Sequence, residues 1–222
     1  MADIYSISQV AMARNKVHFY GNPVAAVAAS HIFQAEMELA LIKIEYEPLV
    51  PVLDINEAIK ENSPRLHAEM VTVRNDGSTV STKDTHVAQY IELDVGDTNK
   101  GFAEADVVVD CSFETQIVHQ GYIEPESETG LVNSNGEITI WAPTQGTFLH
   151  QEELAALMDV PIEKITVLPL EIGGGFGGKE HIRISPLCVA LSQKCGLPVQ
   201  ITLTREEALI GKGHGASTGS SL

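Results

Sequence analysis

Cysteine is scarce in this sequence. Only three of its 222 residues are cysteines, at positions 111, 188 and 195, with no CxxC pair among them. That excludes an iron–sulfur cluster held by this chain alone, which normally takes four thiolates. It also fits a reduced, cytoplasmic setting better than a disulfide framework. Basic residues are few as well: 14 Lys and Arg stand against 30 Asp and Glu, a net charge of -16. Such a chain is repelled by phosphate backbones and by anionic bilayers, so neither nucleic acid nor a membrane is expected as partner. No apolar run approaches the roughly 18–20 residues of a membrane helix. The start, Met1-Ala-Asp-Ile-Tyr-Ser, lacks the basic and apolar regions of a secretory signal.

What is present is apolar enough for a core, at 44% of the residues, and the length allows one large domain or two small ones. Lys16–Tyr20, closed by Gly21-Asn-Pro23, reads as a strand, and Val24–Ser30 as a buried strand. A helix is predicted over His31–Leu41, with Ile32, Ala35, Leu39 and Ile42 near one face. Lys43–Glu47 alternates as a third strand. Residues 71–100 are polar, carry turn signals at Asn75-Asp-Gly77 and Gly96-Asp97, and read as a connection between domains.

Beyond it, Asp106–Glu114 is β-branched and predicted as one long strand. Glu128–Val132 and Glu137–Trp141 flank Asn133-Ser-Asn-Gly136 as a hairpin. Helices are predicted over Gln145–Met158 and Ile184–Lys194, and strands over Lys164–Leu170 and Val199–Leu203. The last residues, 211–222, are small and polar and read as a disordered tail.

The stretch that carries chemistry is Gly173-Gly-Gly-Phe-Gly-Gly-Lys-Glu180. Five glycines in six positions free the backbone for positive φ and let a ligand approach the main-chain amides. A flexible surface turn is the plain alternative, although Phe176 is a poor tip residue for one. Gly173, Gly175 and Gly178 satisfy GxGxxG, but the next carboxylate after Glu180 is Glu206, too far on for the ribose contact of a dinucleotide fold. Gly173–Lys179 fits GxxxxGK, but Glu180 stands where a magnesium-binding Ser or Thr is needed. Both nucleotide readings are weak.

The same loop resembles the signature of the xanthine dehydrogenase and aldehyde oxidase (molybdenum hydroxylase) family. Three further segments follow the order of that family. They are Gly21-Asn-Pro-Val-Ala-Ala-Val-Ala-Ala with Ile44-Glu-Tyr-Glu47, His119-Gln-Gly-Tyr-Ile-Glu-Pro125, and Trp141-Ala-Pro-Thr-Gln145. The resemblance covers about residues 10–208. It implies an α+β fold: a partial α/β hammerhead domain, then the first part of a molybdopterin-binding domain with mixed sheets and helices. The expected boundaries are 1–70 for the second half of the hammerhead, 71–100 for the connection, 101–210 for the cofactor domain and 211–222 for the tail.

The resemblance also implies a function: hydroxylation of a purine or other N-heterocycle with water as oxygen source, on a molybdenum–pterin cofactor (molybdopterin or its cytosine dinucleotide). Electrons would pass to Fe–S and FAD groups on partner chains, and other subunits would carry the remaining cofactor domains. Gln145 should meet the metal indirectly, through an oxo ligand. Gly175, Phe176, Gly177 and Gly178 should wrap the cofactor through their amides. Phe176 should also wall the substrate pocket, and Glu180 should contact the heterocycle. His119 and Glu124 read as structural. No residue matches the family's general-base glutamate, so no catalytic residue is assigned and the isolated chain is predicted inactive. The competing readings are a non-catalytic scaffold that keeps the fold, and a nucleotide-binding protein using the glycine loop.

Overall fold

The computed structural model describes residues 11–68, 70–81, 86–93, 95–115, 118–211 and 219–221. The chain forms two compact units, residues 1–43 with 113–220, and residues 44–112 with 221–222.

Helix α1 (Ile32–Leu39) starts where the His31 ring accepts the Phe33 N–H. Its apolar positions gain no cover: none of its residues is buried. The second unit holds α2 (Ile55–Ala58), β1 (Thr72–Arg74), β2 (Thr79–Ser81), β3 (Gln89–Tyr90) and α3 (Thr98–Glu104). Strands β1 and β2 form a hairpin across Asn75-Asp-Gly77, and β3 adds in parallel to β1. Asp76 Oδ1 accepts the Ser78 N–H at 2.8 Å in that turn. The segment read as a bare connection thus folds into a small sheet. α3 is capped by Asp97, which accepts the Lys100 N–H at 2.9 Å.

Strand β4 (Ser112–Glu114) is all that forms of the long strand predicted over 106–114, and Val107 and Val109 are exposed. The strands predicted over 16–20, 24–30 and 43–47 are not formed. Alternating or β-branched residues favour an extended backbone. A strand also needs a neighbour to complete its hydrogen-bond ladder, and none lies alongside these segments among the described residues.

The core of the first unit follows the sequence reading closely. β5 (Ser127–Val132) and β6 (Ile138–Ala142) form the expected hairpin. Asn133 Oδ1 accepts the N–H groups of Asn135 and Glu137 in its turn. α4 (Thr147–Met158) crosses over to β7 (Ile165–Pro169), which joins β6 in parallel. α5 (Ser185–Cys195) leads to β8 (Val199–Thr202), antiparallel to β5. The sheet order is β7-β6-β5-β8. Ile138, Ile140 and Ala142 alternate inward from β6 and pack with Ile165, Val167, Leu154 of α4 and Val189 of α5. Burial of such side chains contributes roughly 1.5–3 kcal/mol each.

α6 (Arg205–Ile210) was not predicted. Thr204 and Glu207 form a reciprocal capping box at its start, a signal present in the sequence as Thr204-Arg-Glu-Glu207. Of the expected tail, Gly211 is buried and Gly219–Ser221 forms a short strand, β9. Residues 212–218 and 222 lie outside the described residues. The architecture is therefore α+β, with mixed sheets and helices. No helix among the described residues is long and apolar enough to cross a membrane.

Candidate functional site

The glycine loop leaves the C-terminal end of β7 and returns into α5. Strand β6 ends beside it, so Trp141-Ala-Pro-Thr-Gln145 runs against the loop. The Gln145 N–H donates to the Lys179 carbonyl at 2.8 Å, and the Lys179 N–H donates to Gln145 Oε1 at 3.0 Å. The Thr144 hydroxyl reaches the same carbonyl at 3.4 Å. Two segments about thirty residues apart are thus locked as a pair.

Gly175 explains why the contact is so close. A Cβ added there would lie 2.6 Å from Gln145 Cδ and closer still to Oε1, so no larger residue fits while Gln145 keeps this position. Because Oε1 is committed to Lys179, Gln145 presents its Nε2 hydrogens with no hydrogen-bond partner among the described residues. The side chain is exposed.

Phe176 sits in the left-handed region at φ 53 and is 73% exposed. A non-glycine residue held there stores backbone strain, commonly about 1–3 kcal/mol. Phe176 lines a cleft of about 580 Å³ together with Gly121, Ile123, Glu124, Gly173 and Gly174. Gly177 is exposed and at positive φ, whereas Gly178 is buried against the Tyr122 ring and the Gly175 carbonyl. Glu180 is exposed, with its carbonyl beside Gly146. Of the residues singled out from sequence, Phe176 lines the cleft and Gln145 abuts the loop that forms its wall. Neither Gln145 nor Glu180 lines it directly.

The strap His119–Glu126, matched from sequence only as a family segment with His119 and Glu124 read as structural, builds the opposite wall. Glu124 Oε2 accepts the Gly173 N–H at 2.7 Å and the Lys179 ammonium at 2.8 Å. Partial burial works against the Glu124 anion. The hydrogen bonds from Lys179 and Gly173, with the Lys179 charge, outweigh it and hold the carboxyl below the usual range. Lys179 is buried, with its Nζ 5.0 Å from the centre of the Tyr122 ring.

Behind the strap, Glu126 Oε1 accepts from the Tyr122 hydroxyl at 2.8 Å and from Arg183 at 2.9 Å. Burial first, and then the Glu126 contact, push the Tyr122 phenol upward, so it stays a donor. Arg183 also donates to the Glu207 carbonyl at 2.6 Å, and Arg205 to the carbonyls of Tyr122 and Ile123. His119 accepts the Gly121 N–H on Nδ1 at 2.9 Å, so its Nε2 at 3.1 Å from the Ala208 carbonyl carries the proton and donates. These contacts are a signal only three-dimensional structure supplies, since they join residues up to 89 positions apart.

A second buried network lies under the sheet. Ser185 donates to Glu128 and accepts from His150 Nε2 at 2.5 Å. All three side chains are buried, and His150 Nδ1 has no partner among the described residues. Burial pulls the His150 pKa down to about 4. Glu128 lies 4.0 Å from Nε2 and would favour the cation, but it acts through the Ser185 hydroxyl and the desolvation cost prevails.

The site therefore offers the open Gln145 carboxamide donors beside the glycine loop and, apart from them, a concave space between that loop and the strap. Among the described residues no group of three or more His, Cys, Asp and Glu is placed to hold a metal ion. The surroundings of Gln145 and Gly175 fit a bulky acceptor-rich group that brings its own metal ligands. The carboxamide donors are open, and Gly175 beside them is buried under the Gln145 side chain.

Comparison with known proteins agrees. The family model of the molybdopterin cofactor-binding domain matches residues 80–220. The chain is 30% identical to a probable xanthine dehydrogenase subunit of Bacillus subtilis, over 90% of this chain and 25% of that protein. It is 29% identical to the nicotinate dehydrogenase large molybdopterin subunit of Eubacterium barkeri, over 87% of this chain and 42% of that protein. Among solved structures, CO dehydrogenase from Oligotropha carboxidovorans superposes with a TM-score of 0.66 at 25% identity, over 80% of this chain and 22% of that one. The chain thus spans a quarter to less than half of the length of these curated relatives. Glycine loop, glutamine and family match together place the chain in the molybdopterin cofactor-binding family of xanthine dehydrogenase-like enzymes.

Proposed function

We propose that this chain supplies part of the molybdenum–pterin site of a hydroxylase acting on a purine or another N-heterocycle. The observation that carries the reading is the Gln145 carboxamide, pinned by Lys179 with its donors open, against a glycine that admits no Cβ. In this reading Nε2 of Gln145 would donate to a ligand oxygen of the metal, and the amides of Gly175, Phe176 and Gly177 would hold the cofactor, while the Gly178 N–H, committed to the Gly175 carbonyl at 2.8 Å, would keep the loop folded. When bound, the cofactor supplies activation of water and two-electron oxidation of the substrate carbon.

The chain's own residues position and exclude. The Phe176 ring walls the cleft and keeps water from one side of the substrate. Glu180, exposed at the end of the loop and outside the lining of that cleft, would accept a hydrogen bond from a ring N–H of a substrate that reaches beyond it, which favours heterocycles over simple aldehydes. The general base comes from elsewhere in the assembly, as do the Fe–S and FAD groups that receive the electrons. Residues 1–70 act as a hammerhead half and 101–210 as the start of the cofactor domain. Exposed Ile123, Phe148 and Phe176 leave an apolar surface for companion chains or segments to cover. The assembly is cytoplasmic.

The relatives are named for xanthine, nicotinate and carbon monoxide, so the substrate is the finest part of the proposal. Native purification tests it. Molybdenum and pterin near one per chain, co-purifying with iron and flavin, are the expected result. A protein free of both metal and pterin would instead establish a scaffold that keeps the fold.

A further inference from the structure

Both ends of the glycine loop converge on one side chain. Glu124 Oε2 accepts the Gly173 N–H at the start of the loop and the Lys179 ammonium at its end. A main-chain bond from Glu124 N–H to the Gly173 carbonyl, at 3.2 Å, completes the first attachment. At the second, the same Lys179 whose side chain is held by Glu124 uses its peptide N–H to fix Gln145 Oε1. Glu124 and Gln145 are thus connected through Lys179. The Lys179 side chain is 1% exposed and that of Glu124 40% exposed. The clamp is therefore dry on one side and opens to the cleft on the other.

A surface ion pair contributes little, but here the ammonium is desolvated and the carboxylate collects two charge-assisted bonds at one oxygen. Gly173 permits this approach because a Cβ there would lie 2.5 Å from Glu124 Cβ.

We propose that Glu124 is a positioning residue that closes the glycine loop and, through Lys179, sets the direction in which Gln145 offers its Nε2 donors. The inference rests on the cofactor reading above for its purpose, but not for its geometry. Removing the carboxylate leaves Gly173 only its main-chain bond to Glu124 and releases the Lys179 ammonium, so the loop loosens at both ends and the Lys179 N–H that fixes Gln145 Oε1 is less firmly placed.

The test uses the full-length protein in four forms: wild type, Glu124→Gln, Glu124→Ala and Lys179→Met. Glu124→Gln keeps the shape and an acceptor for Gly173 and guards against a misfolded alanine variant. Amide exchange by mass spectrometry is read on peptides covering 173–180, with 127–142 as an internal control. At least tenfold faster exchange in the loop is expected for Glu124→Ala, a smaller rise for Glu124→Gln and Lys179→Met, and none in the control.

Molybdenum retention is then measured for Glu124→Gln, Gln145→Ala and the double variant. If Glu124 acts through Gln145, the double variant loses no more metal than Gln145→Ala. A purely structural role would give additive losses and would overturn the link to Gln145. Unchanged loop exchange, or exchange raised equally in the control peptides, would overturn the clamp whatever the metal content. Faster loop exchange with metal content unaffected in every variant would uphold the clamp and count against the cofactor reading instead.

Discussion

Lowering the pH from about 7.5 to about 5 should destabilise the protein through His150. The imidazole is 2% exposed, its Nε2 is engaged by Ser185, and its Nδ1 faces no partner among the described residues. A proton on Nδ1 would therefore create a buried charge. The folded-state pKa is about 4 against an ordinary 6.5. Between those values the unfolded chain binds the proton and the folded chain does not, so stability rises with pH across the window. The contribution is fully present above the ordinary value and is lost as pH falls towards the folded one.

The whole window is worth on the order of 3 kcal/mol, and at pH 5 about 2 kcal/mol of it should be gone. Urea denaturation followed by fluorescence of Trp141, the single tryptophan, measures it. His150→Gln removes this titrating imidazole while the carboxylates titrate in both proteins. The advantage of wild type over the variant should shrink by about 2 kcal/mol between the two pH values. A difference that stays flat would mean that Glu128, 4.0 Å away, stabilises the cation, and the desolvation argument would be refuted.

Gly175→Ala should displace Gln145 and lower molybdenum content severalfold with little change in circular dichroism, because the clash is with one flexible side chain. Gly130→Ala should cost about 1–3 kcal/mol in urea denaturation. Its Cβ would lie 2.8 Å from Cys188 Cβ and 3.0 Å from the Cys188 carbonyl carbon, where α5 crosses β5. Arg183→Met should cost about 3–5 kcal/mol by the same assay, since it takes the cation from the buried Glu126 carboxylate. Glu126→Gln, which leaves the Arg183 charge behind with the Glu207 and Ala208 carbonyls as partners, should cost less.

Local chemistry made the first unit readable. The hairpin was visible in Asn133-Ser-Asn-Gly136 because the turn residues and the alternation of Ile138, Ile140 and Ala142 agree. The helix beginning near Gln145 and the loop after β7 were visible for similar reasons. The strands expected around Val24 and Val108 failed because period and branching report an extended backbone, not a partner. The helix after Thr204 was missed although its capping box was in plain view; its six residues carry too little apolar period. At the site, Gln145 and the glycines could be matched by motif. The Glu124 clamp could not, because neither its 49-residue separation from Gly173 nor the burial of Lys179 is written in local pattern.

β7 lies at the margin of its sheet, bonded among the described residues to β6 alone, yet it launches the segment that must hold its place most accurately. Support for that segment comes from the other direction, from Arg205 gripping the carbonyls of Tyr122 and Ile123. The cleft is braced by α6 and the strap more than by the strand that feeds it. Warming should loosen the mouth from the α6 side while the central strands are still intact.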